Sequence, residues 1–228
     1  MSNQFSRTEL LIGKDGVEKL KNSKVAIFGC GGVGSYTVEA LARVGIGHIV
    51  LVDYDQYDIT NINRQMGAMH STIGRYKVDV MKERILDINP NAIVEAYKPD
   101  EIEGGETNLV DSSFTYVVDA IDTMTNKIKL IEKCKQENVK IITATGAGNK
   151  LDATKFEVAD IYKTTVCPVC KILRKELKKR NINDLKVVYS TEEPKRADGQ
   201  DVLGSISFVP SVAGLIVAGE VVKDIVRM

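Results

Sequence analysis

Short apolar runs alternate along the chain with longer runs of helical spacing. Lys24–Gly29 (KVAIFG) reads as a buried strand ending in glycine, and Gly32–Gly45 (GVGSYTVEALARVG) as a helix closed by Gly45. His48–Asp53 (HIVLVD) is a second strand. Val78, Met81, Ile85 and Ile88 mark one face of a helix stopped by Pro90. Ala92–Tyr97, Phe114–Asp122 (FTYVVDAID) and Lys140–Thr145 (KIITAT) give three more strands, with a helix over Thr125–Asn138 between the last two. This alternation predicts an α/β, doubly wound, mostly parallel sheet of Rossmann type. Right-handed crossovers then put the C-terminal ends of the strands, where ligands bind, along one edge. Beyond Gly148 the pattern changes. Lys155–Tyr162 and Lys186–Ser190 read as strands, Cys170–Arg180 as a basic helix, Ser190–Gly204 as a polar, mobile stretch, and Ser207–Val226 as an apolar helix rich in small residues. These form a C-terminal strand and helix extension.

The chain has 228 residues, enough for one large domain. We read residues 1–228 as a single unit, with 1–148 the nucleotide-binding core and 149–228 the substrate-binding and C-terminal part. Thirty-one basic and 31 acidic residues cancel, so no global field draws in polyanions and any basic site must be local. No apolar run approaches the roughly 18 residues of a membrane span. MSNQFSRTEL lacks the apolar segment of a signal peptide. A cytoplasmic protein with no membrane partner is predicted. The 4 cysteines are too few for a disulfide scaffold, and Cys167 and Cys170 form a single Cys-x-x-Cys with no second pair to complete a four-thiolate zinc site.

Chemistry enters at Phe28–Gly34 (FGCGGVG). Gly29, Gly31, Gly32 and Gly34 fit a G-x-G-x-x-G turn, whose glycines let backbone approach a phosphate while the next helix offers free amides. Preceded by a strand, followed by a helix, and with Asp53 ending the next strand to accept from ribose hydroxyls, the turn signals a nucleotide. An NAD-binding oxidoreductase is one reading, and a tight turn with no ligand is the bland alternative.

Asn61, Arg64, Gln65 and then Lys77 follow the second strand, and they change the reading. A dinucleotide's pyrophosphate is neutralised by the helix terminus. A triphosphate carries more charge, and transfer at its α-phosphorus needs fixed cations and a metal. Asp122, at the end of the fourth strand, could hold Mg²⁺. Each of these residues taken alone could equally be a solvated surface side chain.

Together, Gly-x-Gly-Gly-x-Gly, LVDYD, TNINRQ, GRYKVDV and DAID resemble, in order and spacing, the ubiquitin-activating-enzyme-like (ThiF-type) adenylyltransferases, over about Phe5 to Met228. The resemblance implies that the four glycines cradle ATP, with Asp53 on the ribose and Asp55 and Gln65 in the same site. It further implies that Asn61, Arg64 and Lys77 contact the polyphosphate and that Asp122 binds Mg²⁺. It implies a homodimer in which an N-terminal arginine, here Arg7 in FSRTELLIG, reaches into the partner's site.

The carrier-protein enzymes of this family generally hold zinc with two Cys-x-x-Cys pairs, which this chain lacks. DIYKTTVCPVCKILRKELKKRNI, VVYSTEEP and the C-terminal helix are instead similar to the tRNA threonylcarbamoyladenosine dehydratase branch, although relatives often have Asp-Pro where this chain has Cys167-Pro168. That implies ATP-dependent activation of a carboxylate on modified tRNA, then ring closure with net loss of water. Lys171, Arg174, Lys175 and Lys178 fall at i, i+3, i+4, i+7 on the basic helix and form a candidate tRNA stripe. A solvated helix face, or a patch for an acidic sulfur-carrier protein, would look the same. An adenylyltransferase for such a carrier is therefore the alternative, and a sulfur-transfer or electron-transfer partner stays open. Cys167 and Cys170 are read as structural thiols. A thioester nucleophile is disfavoured because no basic group is evident beside the pair, and so is half of a zinc site shared across a dimer.

Overall fold

A computed structural model of the chain describes residues 3–98, 105–195 and 203–227. Of the polar stretch Ser190–Gly204, residues 196–202 lie outside the described residues. The strands are β1 (Lys24–Phe28), β2 (His48–Val52), β3 (Ile93–Tyr97), β4 (Tyr116–Asp119), β5 (Ile141–Ala144), β6 (Phe156–Asp160) and β7 (Lys186–Ser190). They form a 7-stranded sheet in the order β3-β2-β1-β4-β5-β7-β6. Every pairing is parallel except that of β6 with β7. The α/β doubly wound architecture is thus as expected. The chain reverses its direction of winding between β1 and β4, which opens a crevice at their C-terminal ends.

The helices are α1 (Ser6–Lys21), α2 (Gly34–Val44), α3 (Lys77–Ile88), α4 (Met124–Gln136), α5 (Pro168–Lys179) and α6 (Phe208–Arg227). Strand side chains alternate between two cores, as a pleated sheet buried on both faces requires. Val25, Ile27, Ile49, Leu51, Tyr116 and Val118 pack under α1, α2, α3 and α6. Ala26, Phe28, Val50, Val52 and Val117 pack under α4 and α5. The small residues of α6 let it lie close on α2, where Thr37 Oγ1 donates to the Gly214 carbonyl at 3.0 Å.

Sequence periodicity does not reveal α1. Only Gly16 and Leu20 are buried along it, and Gly13 breaks it with φ 75°. Ile12 and Leu20 pack on the core, but Leu10 and Leu11 are left exposed. Among the described residues no helix is long and apolar enough to cross a membrane.

Candidate active site

The strand ends of β1, β2 and β4 deliver their following residues to one cavity of about 500 Å³. Gly29, Gly31 and Gly32, Asp53 and Asp55, Asn61, Arg64 and Gln65, Lys77, and Asp122 all line it. Gly29 has φ +90°, and a Cβ there would stand 2.6 Å from the Ala120 carbonyl oxygen, so the turn needs glycine. Gly34 is placed differently from its expected role. It does not line the cavity: a Cβ on it would lie 1.7 Å from the Gly29 carbonyl oxygen, so it lets α2 start directly against the turn.

Asp53 organises this edge. Its Oδ2 accepts from the Cys30 amide at 2.6 Å and its Oδ1 from the Asp55 amide at 2.8 Å. Burial pushes its carboxyl up, against the pull of Lys77 and these two amides. Each oxygen keeps a further lone pair, so the side chain can still accept from a ligand hydroxyl. Lys77 is buried at the first turn of α3, and its Nζ donates to Asp55 Oδ2 at 2.5 Å. Arg64 sits on a short turn whose 3₁₀ segment Ile59–Asn61 is capped by Asp58. Its guanidinium donates at 2.9 Å to the Thr60 carbonyl and to Asn63 Oδ1. Asn63 Nδ2 in turn donates to the Ser205 carbonyl at 3.0 Å, tying this block to Leu203–Ser205 on the far wall.

Two buried polar atoms of cavity residues have no partner among the described residues: Gln65 Oε1 and Glu106 Oε1. A buried, unpaired acceptor is costly, and a ligand that donates to it removes that cost. Sequence reasoning missed Glu106, whose half-buried carboxyl is pushed up by burial and by Asp119 and Asp53. It follows an acidic sequence, PDEIEGG, that has no periodicity to place it. Asn126, also on the cavity wall, was missed too, although its place in the first turn after a strand end was a usable signal.

Beneath the cavity, Asp119 is fully buried. Lys127 Nζ donates to both of its oxygens at 2.9 Å, and Thr143 Oγ1 to one at 3.0 Å. Asp119 Oδ1 also accepts from the Ile121 amide at 3.1 Å, which fixes the backbone leading to Asp122. Asp122 itself is exposed, and its carboxylate accepts from Thr123 Oγ1 at 3.2 Å. Among the described residues no three His, Cys, Asp or Glu side chains converge as a metal cage. An octahedral Mg²⁺ held by one carboxylate, waters and phosphate oxygens needs no such cage, and Asp122 fits that role.

Arg7 lies on α1, exposed and outside the cavity of its own chain. The basic stripe is also away from the cavity, and it is not uniform. Lys171, Lys175 and Lys178 are exposed, but Arg174 turns back and donates to the Thr164 carbonyl at 3.0 Å and to its hydroxyl. Helical spacing could not foresee this, because Thr164 belongs to the preceding turn. The thiol pair has a cation after all: Lys150 interacts electrostatically with Cys167.

The ThiF family's sequence profile matches residues 5–228. The tRNA threonylcarbamoyladenosine dehydratase of Bacillus subtilis is 46% identical to the chain over 100% of it and 96% of that relative. The fold is similar to the crystal structure of the Escherichia coli tRNA N6-threonylcarbamoyladenosine dehydratase in complex with AMP, with TM-score 0.89 and 32% identity over 98% of this chain and 94% of that one. The same enzyme in complex with ATP matches with TM-score 0.87 over the same shares.

Proposed function

The chain belongs to the ThiF family, and from that premise we propose that it is an ATP-dependent tRNA threonylcarbamoyladenosine dehydratase. The observation that carries this reading is a relative of the same name, 46% identical over the whole chain. The cavity supports it with a glycine turn, a cavity-lining Asp53 and two buried acceptors unpaired among the described residues, all at the switch point of the sheet. The dehydratase similar in fold binds ATP and AMP, which favours a nucleotide triphosphate over a nicotinamide at this turn.

The reaction needs positioning and charge more than covalent help. The carboxylate of the modified base attacks the α-phosphorus of ATP, and pyrophosphate leaves. The adjacent carbamoyl group then closes the ring onto the activated carbonyl, and AMP leaves. The turn amides and the start of α2 receive phosphate, Asp53 receives the ribose, and Arg64, Lys77 and Asn61 face the polyphosphate. Arg64 is half-free to do so, since its present bonds are to one carbonyl and one amide oxygen on its own turn.

The charge balance supports two further assignments. Among the described residues, Asp53, Asp55, Asp58, Glu106 and Asp122 line the cavity against Arg64 and Lys77, five carboxyl groups to two cations. A triphosphate entering such a site needs added positive charge. Mg²⁺ on Asp122 supplies part, and when bound it neutralises charge developing on the phosphates. Arg7 from the second subunit of a homodimer supplies more. The neighbouring Leu10 and Leu11, 88% and 86% exposed, are the kind of apolar surface a subunit contact covers. Lys171, Lys175 and Lys178 attract the tRNA backbone in the cytoplasm.

The test is to incubate the protein with ATP, Mg²⁺ and bulk tRNA, digest to nucleosides and analyse by mass spectrometry. Loss of one water from threonylcarbamoyladenosine, dependent on ATP, is expected. Unchanged nucleoside would sink the reading, and adenylylation of a ubiquitin-like sulfur carrier in its place would assign the chain to the other branch.

A further inference from the structure

All four cysteines are free thiols and all are buried. Burial pushes the thiols of Cys30 and Cys134 up, Cys134 to about 12. Cys167 and Cys170 are built differently. Cys167 caps the N-terminus of α5, Pro168 takes the first helical position, and Cys170 follows one turn in. Residues three apart in a helix hold their Cβ atoms about 5–6 Å apart. A disulfide needs roughly 3.5–4.5 Å, so a small shift of this first turn can join the two sulfurs. Thr145, just past β5, already bridges them: its Oγ1 is 3.2 Å from Cys170 Sγ and 4.0 Å from Cys167 Sγ.

The two sulfurs have opposite environments. The neighbouring Cys170 thiol and the amides of Cys170 and Val169 outweigh burial and hold the Cys167 thiol well below its usual range. Cys170, buried beside it, is pushed up. Lys150, buried nearby with its ammonium on the Glu192 carbonyl, adds a positive charge beside Cys167. A thiolate next to a protonated thiol is the arrangement of an attacking and a resolving cysteine.

Cys167 is only 3% exposed, and a tight turn leads into it. That turn is closed by the Cys167 amide donating to the Thr165 carbonyl at 2.5 Å, around Val166 at φ 59°. A β-branched residue in the left-handed region is strained by about 1–3 kcal/mol. Val166 is 49% exposed, so solvent reaches this strained turn immediately before Cys167. Inward, Gly146 is tight against Cys167, since a Cβ there would lie 2.8 Å from Sγ. The next two residues, Ala147 and Gly148, line the nucleotide cavity.

We propose that Cys167 and Cys170 are a peroxide-responsive dithiol, oxidised reversibly to an intramolecular disulfide that lowers nucleotide affinity through Gly146–Gly148. The Cys167 thiolate attacks one oxygen of hydrogen peroxide, the O–O bond breaks, and a proton converts the departing hydroxide to water, leaving a sulfenic acid. The Cys170 sulfur then attacks the Cys167 sulfur. The S–O bond breaks, and the hydroxyl leaves as a second water with the Cys170 proton. Two thiols give up two electrons, and one peroxide becomes two waters. A dithiol reductant returns the electrons. Oxidation also removes the negative charge beside Lys150 and draws Cys167 Sγ away from Gly146, which is why the cavity wall should respond.

The full-length protein is treated with stoichiometric hydrogen peroxide, unfolded, blocked with N-ethylmaleimide and digested. The expected product is a linked Cys167–Cys170 peptide, absent after dithiothreitol, with Cys30 and Cys134 recovered as alkylated thiols. In Cys170→Ser, dimedone should trap a sulfenic acid at Cys167 ahead of the other cysteines. ATP affinity, by calorimetry, should be several-fold weaker for the disulfide form than for the reduced form. Recovery of Cys167 and Cys170 as free thiols, oxidation of all four cysteines at one rate, or equal ATP affinities of the two forms would overturn the proposal. Only the affinity arm rests on the nucleotide reading of the cavity. A reduced protein that binds no ATP would sink that reading, while the peptide map still decides on the dithiol.

Discussion

At the β1–β4 edge the polar side chains are held by backbone and by one another, and two buried acceptors have no partner among the described residues. On α5 the basic side chains either pair with nearby glutamates and a threonine or face solvent. Asp53 holds two amides and Asp119 holds Lys127, Thr143 and an amide, while Gln65 Oε1 and Glu106 Oε1 are left waiting. On α5, Lys179 and Arg180 are tied to Glu176, Arg180 also to Glu132, and Arg174 to Thr164. The first arrangement fixes in advance the polar groups that a ligand would meet. The second offers only a field, carried by Lys171, Lys175 and Lys178. A nucleotide site and a polyanion site thus differ in how much of the ligand's geometry the fold has already decided.

The largest effect should come from beneath the first region. Lys127 is 2% exposed and is the ion-pair partner of fully buried Asp119. Lys127→Ala leaves that carboxylate uncompensated, at a cost of about 3–5 kcal/mol, a large part of a typical domain's stability. Chemical denaturation should show the loss. A variant as stable as wild type would mean that the pair is not what fixes the Asp122 strand end.

Asp122→Ala touches the same edge from the solvent side. Asp122 is exposed and, among the described residues, its carboxylate is hydrogen-bonded to Thr123 alone, so the melting temperature should hold. Turnover should fall on the order of 100- to 1000-fold, as for loss of a major electrostatic contact. Pyrophosphate release at ordinary Mg²⁺ measures it, and wild-type turnover would remove Asp122 from the site.

Arg7 asks whether the first region is complete within one chain. Arg7→Ala and Lys77→Ala should each be nearly inactive, and mixing them should restore some activity. One site of each mixed dimer then carries both residues intact. At random exchange half of the dimers are mixed, with one good site in two, so recovery should approach about a quarter of wild type. Exchanged heterodimers with no recovery would show that Arg7 does not act across the interface.

The same contrast explains what the sequence could reveal. Candidates keyed to strand ends were legible, because a parallel sheet delivers every strand's C-terminus to one edge. Asp53, Asp122 and the glycine turn needed only that rule. Lys77 and Arg64 needed a family pattern as well, since nothing in periodicity tells a buried lysine from a solvated one. Glu106 was illegible, because the acidic sequence before it has no periodicity and its burial is set by the tertiary fold. So was α1, which is broken at Gly13 and fully buries Gly16 and Leu20 alone. Gly34 matched its motif but serves packing, because the pattern does not separate glycines that face phosphate from those that face backbone. The state of the thiol pair depends on Thr145 and Lys150, more than fifteen residues away along the chain, and so could not be read locally.

The smallest effect, and the one that sharpens the contrast most, belongs to α5. Lys171, Lys175 and Lys178 are exposed, whereas Arg174 is occupied by Thr164, so the stripe holds three available charges. Each phosphate contact releases condensed counterions and contributes about −0.7 to −0.9 to the slope of log affinity against log salt. Replacing the three lysines with Glu should weaken tRNA binding roughly tenfold or more at moderate salt and flatten that slope by about 2 to 3. ATP affinity should not change, because none of the three lines the cavity. Arg174→Ala should do the reverse. It should leave the salt slope almost intact and lower the stability of the Thr164–Cys167 turn, where hydrogen bonds to a charged group are worth about 1.5–3 kcal/mol. A tRNA titration at several salt concentrations on both variants separates these outcomes. If Arg174→Ala flattens the slope as much as the triple variant, the arginine leaves Thr164 for phosphate and the helix works as one four-charge stripe. If neither variant moves the slope, α5 is a solvated face and tRNA is held elsewhere, which would leave the first region, with its prepositioned acceptors, as the whole of the recognition surface.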